Sequence, residues 1–317
     1  MQGMDLMLQI KGLTKKFGSF TAVDNISFSV KRGEVVGFLG PNGAGKTTAM
    51  RMVTGFLMPT AGTALVAGHD VTTSPLEVKR RIGYLPEGAP LYEDMTPLEL
   101  LGFVSDVRGL SGATKREAIG NAASRINIEH VMHQAIGTLS KGYKRRVGIA
   151  QAILHDPEIL ILDEPTDGLD PNQKHEVRKL INEMAKEKII VISTHLLDEV
   201  DTVCSRAIVI AQGKIVSDGT PGELEARSEL HNAVTFRLSV AQSDLAKASI
   251  EAISNVDRVV QKSAENGLVT YIAYPSDSQS IIDEISGALK AASIDVQEIQ
   301  AERGRLDEVF RRITTAA

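Results

Sequence analysis

The 317-residue chain has a single cysteine, Cys204, so no disulfide can form within it and a disulfide-stapled scaffold is excluded. One thiol agrees with a reducing compartment, and Cys204 is expected as a small, buried, apolar residue. No apolar run approaches the roughly 18 residues that a membrane-spanning helix needs. The runs EVVGFLG, EILILDEP, KIIVIST and RAIVIA are short and bounded by turn or charged residues, which predicts buried parallel strands. Basic residues do not gather into tails, and the formal net charge is -5, so a broad cationic surface for nucleic acid is disfavoured. The start, MQGMDLMLQI, lacks a basic stretch followed by a long apolar one, so no signal peptide is expected and the chain is expected to stay where it is made. No internal repeat or low-complexity segment stands out.

The length and the 43% hydrophobic content predict two folded domains. From Leu6 to about Leu224, β-rich runs alternate with helical patterns, as in an α/β domain with a largely parallel sheet. Between Glu87 and Asp156 no strong strand run appears. Two capping-box patterns there, Thr96-Pro97-Leu98-Glu99 and Thr114-Lys115-Arg116-Glu117, open helices, which predicts a helical insertion over about 87–158. After TPGELEARSEL the order is β-α-β-β-α-β followed by a helix, with a hairpin at Asn266-Gly267. This predicts a small ferredoxin-like α+β domain over 225–317, without a catalytic constellation.

GPNGAGKTT, Gly40 to Thr48, fits the phosphate-binding pattern G-x-x-x-x-G-K-[ST] and directly follows the strand VVGFL. Gly40, Gly43 and Gly45 let backbone N–H groups converge on phosphates, with Pro41, Asn42, Ala44 and Thr48 completing the loop. Lys46 offsets charge on the β/γ oxygens and the Thr47 hydroxyl can ligate Mg²⁺. A phosphate cradle needs a carboxylate across the site, and EILILDEPTDGLDP supplies Asp163 as the metal-side group at a strand end. The turn beyond can aim Glu164 at the attacking water as a general base. KIIVISTHLLDEV places His195 just past another strand, at the edge where parallel sheets bind ligands, as a polar contact to the γ-phosphate or water.

TLSKGYKRR, Thr138 to Arg146, is an unusual helix start. Ser140 reads as the N-cap, Val147, Ala150 and Leu154 fall on one face, and Lys141, Lys144, Arg145 and Arg146 crowd the end that already carries partial positive charge. Such loading costs stability unless an anion is expected there.

Over residues 6 to about 224 this ordered set resembles the ATPase subunits of ATP-binding-cassette (ABC) transporters. Phe17 resembles the aromatic that stacks on adenine, Gly40–Thr47 the Walker A loop, LPEG around Glu87 the Q-loop, and LSKGY the signature motif. ILILDE resembles the Walker B strand, Gly168-Leu169-Asp170 the D-loop, and His195 the H-loop. YLPE, LSKGYKRR and LDEVFRRIT are most similar to ATPase subunits of ABC-2 type exporters, multidrug-like or associated with gliding motility, with a C-terminal extension. The resemblance implies a P-loop core with a parallel sheet, an antiparallel β subdomain and a helical insertion. It implies ATP as substrate with Mg²⁺ held by Thr47, Asp163 and Glu87, the last standing where most relatives have glutamine. It also implies that Ser140, Lys141 and Gly142 face the ATP bound by a second ATPase subunit, so that the working unit is a dimer, with a homodimer the economical form.

On that resemblance the partner is a membrane permease on a separate chain, no nucleic acid is bound, and the protein sits in the cytoplasm on the inner face of the cell membrane. The alternative is a soluble ABC ATPase acting on nucleic acid or ribosomes. Such relatives commonly carry two cassettes, a coiled coil or a zinc insertion, and neither these nor the acidic balance favour that alternative here. A non-hydrolysing regulatory module is expected to have lost Glu164 or His195, and both are present.

Overall fold

The computed structural model describes residues 6–88, 91–277 and 279–315. Met1–Asp5 and the last two residues of the expected domains lie outside the described residues, as do Ala89 and Pro90 of the expected helical insertion and Ser278. The chain divides into two compact units, one made of the residues up to Thr220 together with those from Ile313 on, the other spanning Pro221–Arg312. The boundary expected at residue 224 falls inside the short helix Pro221–Glu225.

The first unit opens with two long strands, β1 (Leu6–Phe17) and β2 (Phe20–Lys31), followed by β3 (Val35–Leu39) and helix α1 (Lys46–Val53). Then come β4 (Ala61–Val66), β5 (His69–Asp70), α2 (Pro75–Arg81) and β6 (Ile82–Leu85). Three helices follow, α3 (Pro97–Val107), α4 (Gly112–Arg125) and α5 (Lys141–Ile153). The remainder is β7 (Ile159–Asp163), α6 (Pro171–Ala185), β8 (Ile189–Thr194), α7 (Leu197–Val203), β9 (Arg206–Ala211) and β10 (Lys214–Gly219).

Two sheets result. One is antiparallel, in the order β2-β1-β4-β5; the other runs β10-β9-β3-β8-β7-β6, parallel except for β10. In β3, β7 and β8 every residue is buried, the near-continuous apolar pattern of a parallel sheet covered on both faces. Each such Ile, Leu or Phe contributes about 1.5–3 kcal/mol by leaving water. Register aligns the strand ends: Leu39 is opposite Thr194, and Asp163 is opposite Ser193. The loops that follow these three strands therefore open on one edge. Cys204 is buried at the end of α7, with its sulfur 2.9 Å from where a Cβ on Gly37 would stand, and burial pushes its thiol up to about 12. Among the described residues no helix is long and apolar enough to cross a membrane.

The insertion between β6 and β7 is helical, as the sequence predicts. The Thr96 capping box forms: the Thr96 hydroxyl accepts from the Glu99 N–H, and the Glu99 carboxylate accepts from the Thr96 N–H at 2.8 Å. The second box does not form. Helix α4 starts at Gly112 with Ser111 as N-cap, and the Ser111 carbonyl already accepts from the Lys115 N–H, so Thr114 lies inside the first turn.

His155, just past α5, lies 3.2 Å from the Ile82 carbonyl. Burial, reinforced by Arg108 and Lys188 against the opposing Asp156, lowers its imidazole to about 4. A neutral folded imidazole contributes stability that is full above the unfolded value near 6.5 and is lost as pH falls towards about 4. Melting temperature is therefore expected to fall more steeply over that window for the native chain than for His155→Gln. Parallel curves would show that His155 does not report this burial.

The second unit carries the short helix α8 (Pro221–Glu225), then β11 (Val234–Ser239), α9 (Ser243–Glu251), β12 (Val256–Glu265), β13 (Leu268–Pro275), α10 (Ile282–Ala291), β14 (Val296–Ala301) and, as far as Arg312, α11 (Leu306–Thr315). The sheet order β12-β13-β11-β14, all antiparallel, is the ferredoxin-like arrangement that the β-α-β-β-α-β order predicts. Alternate residues of β11, namely Val234, Phe236 and Leu238, face a core shared with Ile250 of α9 and with Ile285 and Leu289 of α10.

Candidate functional site

The loop between β3 and α1 turns on residues whose backbone excludes side chains. Gly45 has φ +104, and a Cβ there would stand 2.4 Å from the Ala22 carbonyl oxygen, so only glycine fits. Lys46, buried at 7% exposure, folds back onto its own loop: its ammonium donates to the Gly40 carbonyl at 2.7 Å and to Pro41 at 3.3 Å. The same ammonium lies 3.7 Å from the Glu164 carboxylate.

Glu164 departs from the ordinary backbone without being a glycine. Its φ of +49 is left-handed, a region that non-glycine residues rarely adopt, and it follows directly on the extended β7. That turn carries its side chain off the strand and into a cavity of about 340 Å³ lined by Asn42, Gly43, Lys46, Thr47, Thr48 and Glu87, among others. The Glu164 N–H donates to the Ser193 carbonyl at 2.9 Å, and His195 Nδ1 lies 3.0 Å from both carboxylate oxygens. An ionised carboxylate only accepts, so Nδ1 is the protonated nitrogen. His195 thus holds Glu164.

Asp163 is fully buried. Ser193 donates its hydroxyl to Oδ1, while Oδ2 is buried without a partner among the described residues. Its charge extends across the sheet: burial, and then Asp163, raise the Tyr84 phenol to about 12. An orphaned carboxylate oxygen beside a phosphate-binding loop fits a hard divalent cation. Among the described residues no group of three or more His, Cys, Asp or Glu side chains is placed to hold a metal by itself. A cation at Asp163 would therefore need nucleotide oxygens and the Thr47 hydroxyl as further ligands, as Mg²⁺ sites commonly do.

Phe17 and Phe20 are cross-strand partners in β1 and β2, and it is Phe20 that lines the cavity; Lys15 lies 5.2 Å over the Phe17 ring. Phe20 carries no motif and was not distinguishable in the sequence from any exposed strand residue.

Ser140, Lys141, Gly142 and Asp170 form a separate cluster, and none lines the P-loop cavity. Ser140 is exposed and caps α5, its hydroxyl accepting from the Tyr143 N–H at 3.4 Å. Asp170 caps α6, accepting from the Gln173 N–H at 2.9 Å. Gly142 is buried, and a Cβ there would come within 2.4–2.5 Å of the Gln173 side-chain amide, so its missing side chain makes room for α6. The basic cluster at this helix start is mostly engaged within the chain. Lys144 pairs with Glu93 at 2.8 Å, and Arg146 donates to the Ile126 carbonyl and lies over the Tyr143 ring. Arg145 is buried against three carbonyls. Lys141 has no partner among the described residues.

A strand, a glycine-rich loop and a helix, faced by carboxylates from the neighbouring strand's end, define a nucleoside-phosphate-binding domain of the P-loop class. The model of the ABC transporter family matches residues 23–167. The chain is 39% identical over 225 residues to the probable multidrug ABC transporter ATP-binding protein YbhF of Escherichia coli, covering 71% of this chain and 39% of YbhF. It therefore spans about two fifths of that relative's length. It is 33% identical over 311 residues to the daunorubicin/doxorubicin resistance ATP-binding protein DrrA of Streptomyces peucetius, covering 97% of this chain and 92% of DrrA. The solved structure of cbiO1 from Clostridium perfringens, part of an ABC transporter complex, superposes with a TM-score of 0.64 at 32% identity, over 70% of this chain and 92% of that one. The chain belongs to the ABC transporter family, among its ATP-binding proteins.

Proposed function

We propose that this chain hydrolyses Mg-ATP to drive a separate membrane permease of the ABC-2 exporter type. The observation that carries the reading is Glu164, seated in the P-loop cavity between Lys46 and His195. In this reading Glu164 accepts the proton of the attacking water, and His195 fixes the orientation of the carboxylate through Nδ1. Lys46 and the N–H groups of the loop from Gly40 to Thr48 bind the phosphates, while Phe17 and Phe20 flank the adenine side. Mg²⁺, when bound, neutralises phosphate charge; Thr47, Asp163 and Glu87 are the groups of this chain that would hold it.

Ser140, Lys141 and Gly142 lie apart from the cavity, which supports a two-fold dimer in which this cluster meets the partner's ATP and Asp170 lies close to the joint. A homodimer is the simplest form. A permease contact is supported by an exposed apolar face: Phe56, Leu76 and Val107 are 74%, 70% and 71% exposed and border a second cavity of about 560 Å³. Contact with a permease would place the protein on the cytoplasmic side of the membrane. YbhF is named as a transporter protein and cbiO1 as part of an ABC transporter complex, which favours this reading over work on nucleic acid or ribosomes.

Turnover lost in Glu164→Gln tests the reading. A further test concerns Glu87, which is exposed at the cavity. Replacing one carboxylate there by an amide is expected to raise the Mg²⁺ concentration for half-maximal turnover about fivefold, the scale of one charge–charge interaction in water. Unchanged Mg²⁺ dependence, turnover and stimulation by permease would remove Glu87 from the metal-binding set.

A further inference from the structure

Arg145 is the fifth residue of α5, five residues after Ser140, and is 5% exposed. Its guanidinium donates from Nε to the Pro165 carbonyl at 3.1 Å and from Nη2 to the Asp163 carbonyl at 3.2 Å. Nη1 makes a longer contact, 3.5 Å, to the carbonyl of Pro86. Asp163 and Pro165 flank Glu164, and Pro86 precedes Glu87.

No carboxylate pairs with Arg145 within 4 Å among the described residues. Burial pulls its guanidinium below the usual arginine range, while Asp167, Asp163, Glu164 and Glu199 act in the opposite direction from farther off. A buried charge satisfied only by neutral carbonyls is an expensive way to fill space, and a similar-sized apolar side chain would serve the core at lower cost. The rigid fork supplies what an apolar group lacks: several donors in fixed directions that can fix several peptide planes at once. Two of those planes lie on either side of the left-handed Glu164, a backbone that persists only when its surroundings over-determine it.

We propose that Arg145 is a positioning residue for hydrolysis: by gripping the carbonyls of Asp163 and Pro165 it holds the Glu164 backbone that aims the carboxylate into the P-loop cavity. Through Pro86 it ties the same grip to the Glu87 loop. Because Arg145 belongs to the helix that Ser140 opens, a shift of that helix start is transmitted to Glu164 by one side chain. This inference rests on the reading of Glu164 as the base.

The test uses the full chain with Arg145→Lys, Arg145→Gln, Glu164→Gln and the double variant Arg145→Gln/Glu164→Gln. Turnover is measured with radiolabelled ATP and affinity with a fluorescent ATP analogue. A misplaced base is expected to lower kcat about a hundredfold in both Arg145 variants, while nucleotide affinity stays close to that of the native chain. A lysine ammonium cannot span the carbonyls, so charge alone should not restore turnover. If Arg145 acts through Glu164, the double variant turns over no more slowly than Glu164→Gln. Additive losses, native kcat, or a matching fall in affinity would overturn the proposal. So would loss of cooperative melting in both Arg145 variants, which would make the residue a folding element. Native turnover in Glu164→Gln would instead overturn the base assignment on which the inference rests, a result visible in that variant alone.

Discussion

Glu164→Gln is expected to reduce ATP turnover by about 10²–10⁴-fold, the usual contribution of a positioned general base. The amide matches the carboxylate in size and its oxygen can still accept from His195 Nδ1, which lies 3.0 Å away, so the left-handed turn should be retained. What disappears is the group able to take a proton, together with the charge 3.7 Å from Lys46. ATP binding should therefore survive, and an ATP-bound dimer should accumulate because the step that opens it has been slowed. Single-turnover hydrolysis and light scattering with ATP read the two effects separately. Turnover within a small factor of the native rate would show that another group activates the water.

Ser140→Arg is the second large effect. Ser140 is exposed, so a long side chain meets no packed neighbour, and the lost cap costs about 1 kcal/mol of stability. On the half-site reading, nucleotide binding by one chain should remain nearly unchanged, while ATP-driven dimerisation is lost and turnover falls more than about a hundredfold. Gly142→Asp should do the same, with the added demand that the Gln173 side chain move aside. Turnover that survived both changes would reduce the motif to a basic helix start.

The parts of the site that were legible in the sequence are those written in contiguous residues. GPNGAGKTT specifies its own backbone, and the strand ends at Asp163 and Thr194 meet because parallel strands deliver their C-terminal edges to one side. The second unit was legible because its strand order follows from local alternation and one Asn-Gly turn. What escaped depends on partners without a residue-type signal. Arg145 binds three main-chain oxygens from two distant segments, and carbonyls look alike in every sequence. Charge at the α5 start pointed to an external anion, yet Lys144, Arg145 and Arg146 find partners inside the chain, leaving Lys141 as the cation of this cluster without a partner among the described residues. Phe20 escaped because strand periodicity does not say which of two paired aromatics turns towards a cavity. At α4 the expected cap, Thr114, gives way to Ser111 three residues earlier, because the hydrogen-bond register starts at the Ser111 carbonyl.

The burial of Cys204 has a practical side. A maleimide dye reacts with an accessible thiolate, and this thiol is both buried and pushed up to about 12. A cysteine introduced on the exposed rim of the α5 cluster would take the dye alone, against an otherwise native background. Fluorescence energy transfer between two labelled copies could then follow closure and opening through each round of ATP use.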